Sequence, residues 1–228
     1  MRDPIFQDRQ DAGLQLAAVL MRFRERDPLI LALPRGGVPV AFEIACALEA
    51  DLDLVLVRKL GAPGYPEVGI GAVVDGADPQ LVLNEAIVRQ IAPRPDYVEA
   101  EYHRQLTEIE RRRQAYAGSR APIPAGGRTV IVVDDGIATG GTVRAALQAL
   151  RKTGPAQLVL AVPLAPAEVV QSLREECDEI VCLATPEPFH AVGAHYGDFS
   201  QTSDAEVVTL LRRAAVFADR PQARAAGR

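Results

Sequence analysis

The residues with the most chemistry in them stand together. Asp134 and Asp135 follow the apolar run Val130-Ile131-Val132-Val133, and Gly136-Ile137-Ala138 separates them from Thr139-Gly140-Gly141-Thr142. The β-branched run reads as a buried strand that delivers both carboxylates to its C-terminal end, and residues 142–152 resume at helical spacing. Where that helix begins, glycines let the backbone approach an anion, amide N–H groups point outward, and the positive end of the helix dipole and two threonine hydroxyls add to them. This is a cradle for one phosphate monoester. The paired carboxylates cannot bind phosphate; they suit hydroxyl groups, or a divalent cation that itself bridges to phosphate oxygens. A ligand with a terminal phosphate, vicinal hydroxyls and a metal-chelated polyphosphate satisfies both halves. A plain strand-to-helix turn, with the acids as caps and the glycines as the corner, would account for a lone Gly-rich turn. Two acids placed four residues before Thr-Gly-Gly-Thr, in a strand–turn–helix context, favour a ligand site.

A second loop has compatible chemistry. Pro34-Arg35-Gly36-Gly37 follows the apolar run Leu29–Leu33 and precedes a helical stretch, 38–48. It offers a cation and two unhindered backbone amides, which suits pyrophosphate; the bland alternative is a turn with a surface arginine. His190 and His195 are four apart, a metal-like spacing without a third ligand nearby.

Around these loops the chain alternates strand and helix signals. Residues 11–24 read as an amphipathic helix, 52–57 as a second buried strand, and 58–68, with Gly61, Pro63, Gly64 and Pro66, as a loop. Residues 68–74 and 80–83 flank the turn signal Asp75-Gly76 as a hairpin or two short strands. Pro93 and Pro95 separate two helical stretches. The second, 96–117, is polar and carries Arg111-Arg112-Arg113, read as a solvated face with a phosphate patch as the minority alternative. Strands at 158–162 and 179–183 flank a helix at 167–176. A Pro-, Gly- and aromatic-bearing loop at 185–203 precedes a last helix at 204–217, and the polar tail 219–228 is expected to be frayed and disordered. Continuous apolar strands alternating with helices predict an α/β fold, a largely parallel sheet covered on both faces, with ligands beyond the carboxyl ends of the strands.

Composition bounds the partners. The chain has 228 residues, 25 Lys+Arg against 30 Asp+Glu and a net charge of −5, so it lacks the bulk positive charge that a general nucleic-acid or anionic-membrane binder needs. Three cysteines at no metal-like spacing suit a reduced, cytoplasmic setting. The N-terminal residues show no secretory h-region, and 158–167 is too short and Pro-bearing to span a membrane.

The stretch 130–142 resembles the phosphoribosyl-diphosphate (PRPP) binding signature of the type I phosphoribosyltransferases. Residues 8–13, 33–41, 57–61, 189–193 and 196–199 resemble a bacterial group of predicted phosphoribosyltransferases without an assigned acceptor, and the likeness covers roughly residues 5–218. It implies the type I phosphoribosyltransferase fold over residues 1–218, with a small hood at 185–203 and a lid over 60–75. It also implies Mg²⁺, PRPP and a small acceptor as ligands, no nucleic acid or membrane, and a homodimer or monomer. Asp134 and Asp135 then contact the ribose hydroxyls and Mg²⁺, and residues 136–142 (Gly136, Ile137, Ala138, Thr139, Gly140, Gly141, Thr142) hold the 5-phosphate. Arg35, Gly36 and Gly37 bind pyrophosphate, often through a strained or cis peptide in such proteins. Of Arg58 and Lys59, at the family's second basic position, Lys59 is assigned to pyrophosphate, with Arg58 a substrate contact.

The lid residues Tyr65 and Glu67 are candidates to reach the site on closure. Phe189 in the hood is a candidate to stack on the acceptor ring, and His195 or Tyr196 to orient it. Some purine-salvage relatives carry an acid three residues beyond the second Asp; here that position is Ala138, so any general base comes from elsewhere, with Glu67 a candidate. The implied reaction displaces pyrophosphate from C1 of phosphoribose. A non-catalytic PRPP sensor is the alternative; a hydrolase or P-loop kinase lacks its motif.

Overall fold

A computed structural model describes residues 4–218; the expectation for the tail 219–228 lies outside them. Five parallel strands form the main sheet: β1 (Pro28–Ala32), β2 (Asp51–Leu54), β6 (Thr129–Val133), β7 (Gln157–Leu164) and β8 (Glu179–Ala184), in the spatial order β2-β1-β6-β7-β8. Pro28↔Thr129 through Ala32↔Val133 set the central register. Along β1 and β6 alternate residues serve different layers. Ile30, Ala32, Ile131 and Val133 face a core shared with helices α1 (Arg9–Leu20), α2 (Gly37–Leu48), α4 (Pro95–Ala117) and α7 (Asp204–Ala218). Leu29, Leu31, Val130 and Val132 face a second core beneath α5 (Gly141–Lys152) and α6 (Ala167–Leu173). Strands buried on both faces need the continuous apolar runs that the sequence shows, each such side chain contributing about 1.5–3 kcal/mol.

Three corrections concern the segments between. The expected strand 52–57 breaks after Leu54, and Val57 opens a second, antiparallel sheet of β3 (Val57–Ala62), β4 (Tyr65–Val74) and β5 (Gln80–Leu83). The expected loop at 58–68, and with it the lid expected over 60–75, is therefore largely a β-hairpin. The prolines and glycines that suggested a loop sit at its irregular tip: Ala62 pairs with Tyr65 and Gly61 with Gly69, so Pro66, Glu67 and Val68 bulge out of the ladder. Pro163 lies inside β7, past the end of β6 opposite Ala161, where β7 has only β8 beside it and a missing N–H is tolerated. Asp75-Gly76 is a turn as expected, between β4 and β5. The first helix is α1 followed by a 3₁₀ segment, Met21–Arg26, and α3 (Glu85–Ile91) precedes α4.

The hood is stitched to the start of the chain. The Ile5 and Phe6 amides donate to the His195 carbonyl, and the Gly197 and Asp198 amides donate to Phe6 and Gln7. Phe6, Tyr196 and Leu164 form a small core of their own, with Phe189, Val192 and Phe199 packed on it. No helix among the described residues is long and apolar enough to cross a membrane.

Candidate active site

β1 and β6 are neighbours whose chains then wind to opposite sides of the sheet, which opens a crevice beyond their carboxyl ends. The two predicted loops meet there. Gly36 packs against the acid pair so tightly that a Cβ on it would lie 1.9 Å from Asp135 Oδ2, and one on Gly37 would lie 2.7 Å from the Val133 carbonyl. The Pro34–Arg35 peptide is cis, as the resemblance implied. Gly37 N–H donates to the Leu33 carbonyl, while the Arg35 and Gly36 amides of this loop show no partner among the described residues.

The acids are half-buried and unevenly partnered. Asp134 Oδ1 accepts from the Asp135 amide at 2.9 Å, and Asp135 Oδ2 accepts from Arg9 Nε at 2.7 Å. Burial pushes both carboxyls above the ordinary carboxylate range; the adjacent Asp135 charge adds to the shift of Asp134, and Arg9 opposes that of Asp135. Arg9 is the residue the sequence reading missed. It lies over the Phe199 ring at 3.8 Å, and its Nη1 donates to the Ser200 carbonyl at 2.7 Å. It sits 126 positions from Asp135, and only the Asp8–Asp11 segment of the family likeness pointed near it.

Behind the acids, residues 138–142 show no hydrogen bond from their backbone amides to the protein, among the described residues. Gly140 holds φ 79°, which favours glycine, and α5 starts there without a side-chain cap. Thr139 and Thr142 are exposed beside these amides. Gly136 and Ile137 are buried instead: Ile137 N–H donates to the Leu164 carbonyl at 3.0 Å and its side chain joins the core. These two shape the loop, and the open amides begin at Ala138.

The two adjacent basic residues of β3 part company, as neighbours on a strand do. Arg58 lines a cavity of about 220 Å³ together with Pro34, Asp134 and Thr142. Lys59 lines a larger one of about 660 Å³ with Thr139, Gly141, Thr142, Arg144 and Glu176, and its Nζ donates to the Glu67 carbonyl at 2.9 Å. The structure thus sets Arg58 beside the Pro34 loop and Lys59 beside Thr139 and Gly141, with Thr142 lining both cavities. Arg35 Nη1 reaches Asp204 at 3.3 Å.

Several hood and lid candidates are otherwise engaged. Tyr196 donates to the Asp135 carbonyl at 2.6 Å; burial and the nearby carboxylates raise its phenol, so it is a fixed neutral donor to the site backbone. Phe189 is packed in the hood core, 5.4 Å from the His195 ring. Tyr65 and Glu67 are exposed at the hairpin tip. Among the described residues no three His, Cys, Asp or Glu side chains cluster to hold a metal, which leaves His190 and His195 without a partner ligand. The two desolvated, mutually repelling carboxylates fit a Mg²⁺ that arrives with its substrate, since Mg²⁺ is commonly held by one or two carboxylates plus substrate phosphates and water.

A parallel sheet with this crevice, an acid pair and an amide-lined loop define a class. The chain belongs to the phosphoribosyl transferase domain family, whose model matches residues 9–196, and it adopts the type I phosphoribosyltransferase fold expected of it. It is 48% identical over 210 residues to "Putative phosphoribosyl transferase Rv0571c" of Mycobacterium tuberculosis, covering 92% of this chain and 47% of that protein. The chain thus spans about half the length of the curated relatives it matches. It is similar also to the crystal structure of TT1426 from Thermus thermophilus, with 42% identity and a TM-score of 0.80 over 93% of this chain and 99% of that one.

Proposed function

We propose that the chain binds Mg-PRPP and transfers its 5-phosphoribosyl group to a nitrogenous, nucleobase-like acceptor in the cytoplasm, releasing pyrophosphate. One observation carries this reading: the unpartnered amides of residues 138–142 lie directly after two desolvated carboxylates at the β1/β6 crevice. The amides and the Thr139 and Thr142 hydroxyls take the 5-phosphate. Asp134 and Asp135 accept from the ribose hydroxyls, and Arg9 holds Asp135 in place for them. Arg35, Arg58 and the Gly36 amide face the diphosphate; Lys59 supports the phosphate side.

An acceptor nitrogen attacks C1, the C1–O bond to pyrophosphate breaks, and the bond's electron pair leaves with pyrophosphate. The acceptor proton passes to solvent: Ala138 is exposed where an acid would otherwise stand, and Glu67 is exposed at the hairpin tip. Arginine charge fixed at the leaving group stabilises the transition state electrostatically, and the nearby carboxylates stabilise the developing sugar cation. Mg²⁺, when bound, neutralises pyrophosphate charge.

The test is a pyrophosphate-release screen with Mg-PRPP against nucleobases, orotate, nicotinate-like acids and amines, run beside calorimetry. Release with one acceptor class is expected. Measurable PRPP affinity without release from any acceptor identifies a PRPP-binding regulator instead, and no PRPP affinity overturns the site.

A further inference from the structure

The run Arg111-Arg112-Arg113, expected as a solvated face, divides into three different environments. Arg113 is buried between Asp53 and Asp75. Arg111 closes on Glu108 with both Nε and Nη2, at 2.8 and 2.9 Å, and is largely exposed. Arg112 gives only its Nε to Glu108, at 2.9 Å, and its two terminal nitrogens meet no hydrogen-bond partner among the described residues.

Arg112 also stands where two cavities meet. One, about 220 Å³, holds Asp134, Arg58 and Thr142; the other, about 310 Å³, holds Arg35, Arg111, Tyr116 and Asp204; Pro34 and Arg112 line both. Arg35 and Arg58 are anchored in the same manner. Each gives one nitrogen to a neighbour, Asp204 for Arg35 and Gln105 for Arg58, with no partner for the rest of the fork among the described residues. Three guanidinium groups, each tethered at one point, surround the Pro34 loop beside the acid pair. A guanidinium fork matches phosphate oxygens in bidentate geometry, and a diphosphate has oxygens enough for several forks.

We propose that Arg112 of α4 is a further substrate-binding residue, reaching across Pro34 to the diphosphate end of PRPP while Glu108 orients it. This rests on the reading of the site as a PRPP site. Glu108 is suited to orienting: Arg111 and Arg112 together hold its carboxyl at about 2, so it stays charged across the working pH range.

Calorimetric titration of Mg-pyrophosphate, and separately of ribose 5-phosphate, into the wild-type chain, Arg112→Gln, Arg111→Gln and Arg112→Lys tests this. Arg112 is part-exposed, with its side chain 43% accessible, so its variants should fold. Arg112→Gln is expected to weaken pyrophosphate about tenfold, the effect of losing a charge-assisted hydrogen bond, and to leave ribose 5-phosphate unchanged. Arg111→Gln is expected to bind both as the wild type does, and Arg112→Lys to recover part of the pyrophosphate affinity. Wild-type pyrophosphate affinity in Arg112→Gln, an equal loss for both ligands, or an equal loss in Arg111→Gln would each overturn the assignment while leaving the PRPP site standing. Failure of the wild-type chain to bind either ligand overturns both.

Discussion

Two pairs of aspartates sit in this molecule, and they are partnered in opposite ways. Asp53 and Asp75 straddle Arg113, which donates Nη2 to one at 2.7 Å and Nη1 to the other at 2.8 Å. Their remaining capacity goes to the backbone amides of Leu54, Ile123 and Leu56 and to Arg120, and their side chains are only 1% and 4% exposed. Asp134 and Asp135 share the single cation Arg9, which touches one of them, and among the described residues the only other protein donor to the pair is the Asp135 amide. The carboxylates of the first pair are fully partnered in a network that ties α4 to the end of β2 and to the second sheet, with the Nε atoms of Arg113 and Arg120 left buried without a partner. The second is left under-satisfied at a crevice. The same residue type therefore gives structure where donors are complete and a binding site where they are not.

The contrast can be broken from either side. The largest effect is expected at the closed pair: Asp53→Asn leaves Arg113 buried with one fewer counter-charge and should cost about 3–5 kcal/mol in urea unfolding, while PRPP affinity of the folded fraction is unchanged. At the open pair, Asp134→Asn with Asp135→Asn should lower Mg-PRPP affinity by about 100-fold or more in calorimetry, as several charge-assisted contacts are lost together. Its melting temperature should stay level or rise, because burial already disfavours both charges. A melting temperature that falls as far as in Asp53→Asn would erase the distinction.

The smallest effect is a pH signature of the closed pair. Burial pushes the Asp75 carboxyl up to about 6 against the pull of Arg113 and the Leu56 amide. An acid raised in the folded state is charged first in the unfolded chain as pH rises, so stability falls between about pH 4 and pH 6. The fall should be on the order of 2–3 kcal/mol, complete above about pH 6 and missing from Asp75→Asn. Comparing urea midpoints of the two chains across that range isolates it, since the open pair contributes equally to both.

Legibility in the sequence followed the range of the interaction. The parallel sheet and the 130–142 loop are written in contiguous residues, so strand period, paired acids and the Thr-Gly-Gly-Thr turn point to them directly. The hairpin at 57–74 was obscured because Pro63, Gly64 and Pro66 signal a loop at the level of local propensity, while the pairing of Leu60 with Gly71 and Lys59 with Ala72 is tertiary. Arg9 was hidden for the same reason: nothing near it in sequence shows that Asp135 is its partner. Arg112 and Arg113 are indistinguishable from Arg111 in the sequence until α4 is laid against β3, since the rotation of about 100° from one helix residue to the next decides which of three neighbours faces solvent, cleft or core.

The stitching of the N-terminal segment to the hood has a consequence for how the protein is made. Arg9 is bonded to Asp135 across 126 positions and to Ser200 across 191. A chain emerging from the ribosome carries Arg9 well before the hood, so the sheet through β6 can assemble while its acid pair still lacks both its counter-charge's support and its cover. The binding site is therefore completed only once the hood has followed the signature, and an interrupted chain ending before residue 195 would contain every residue of the signature without the hood contacts that hold Arg9 in place.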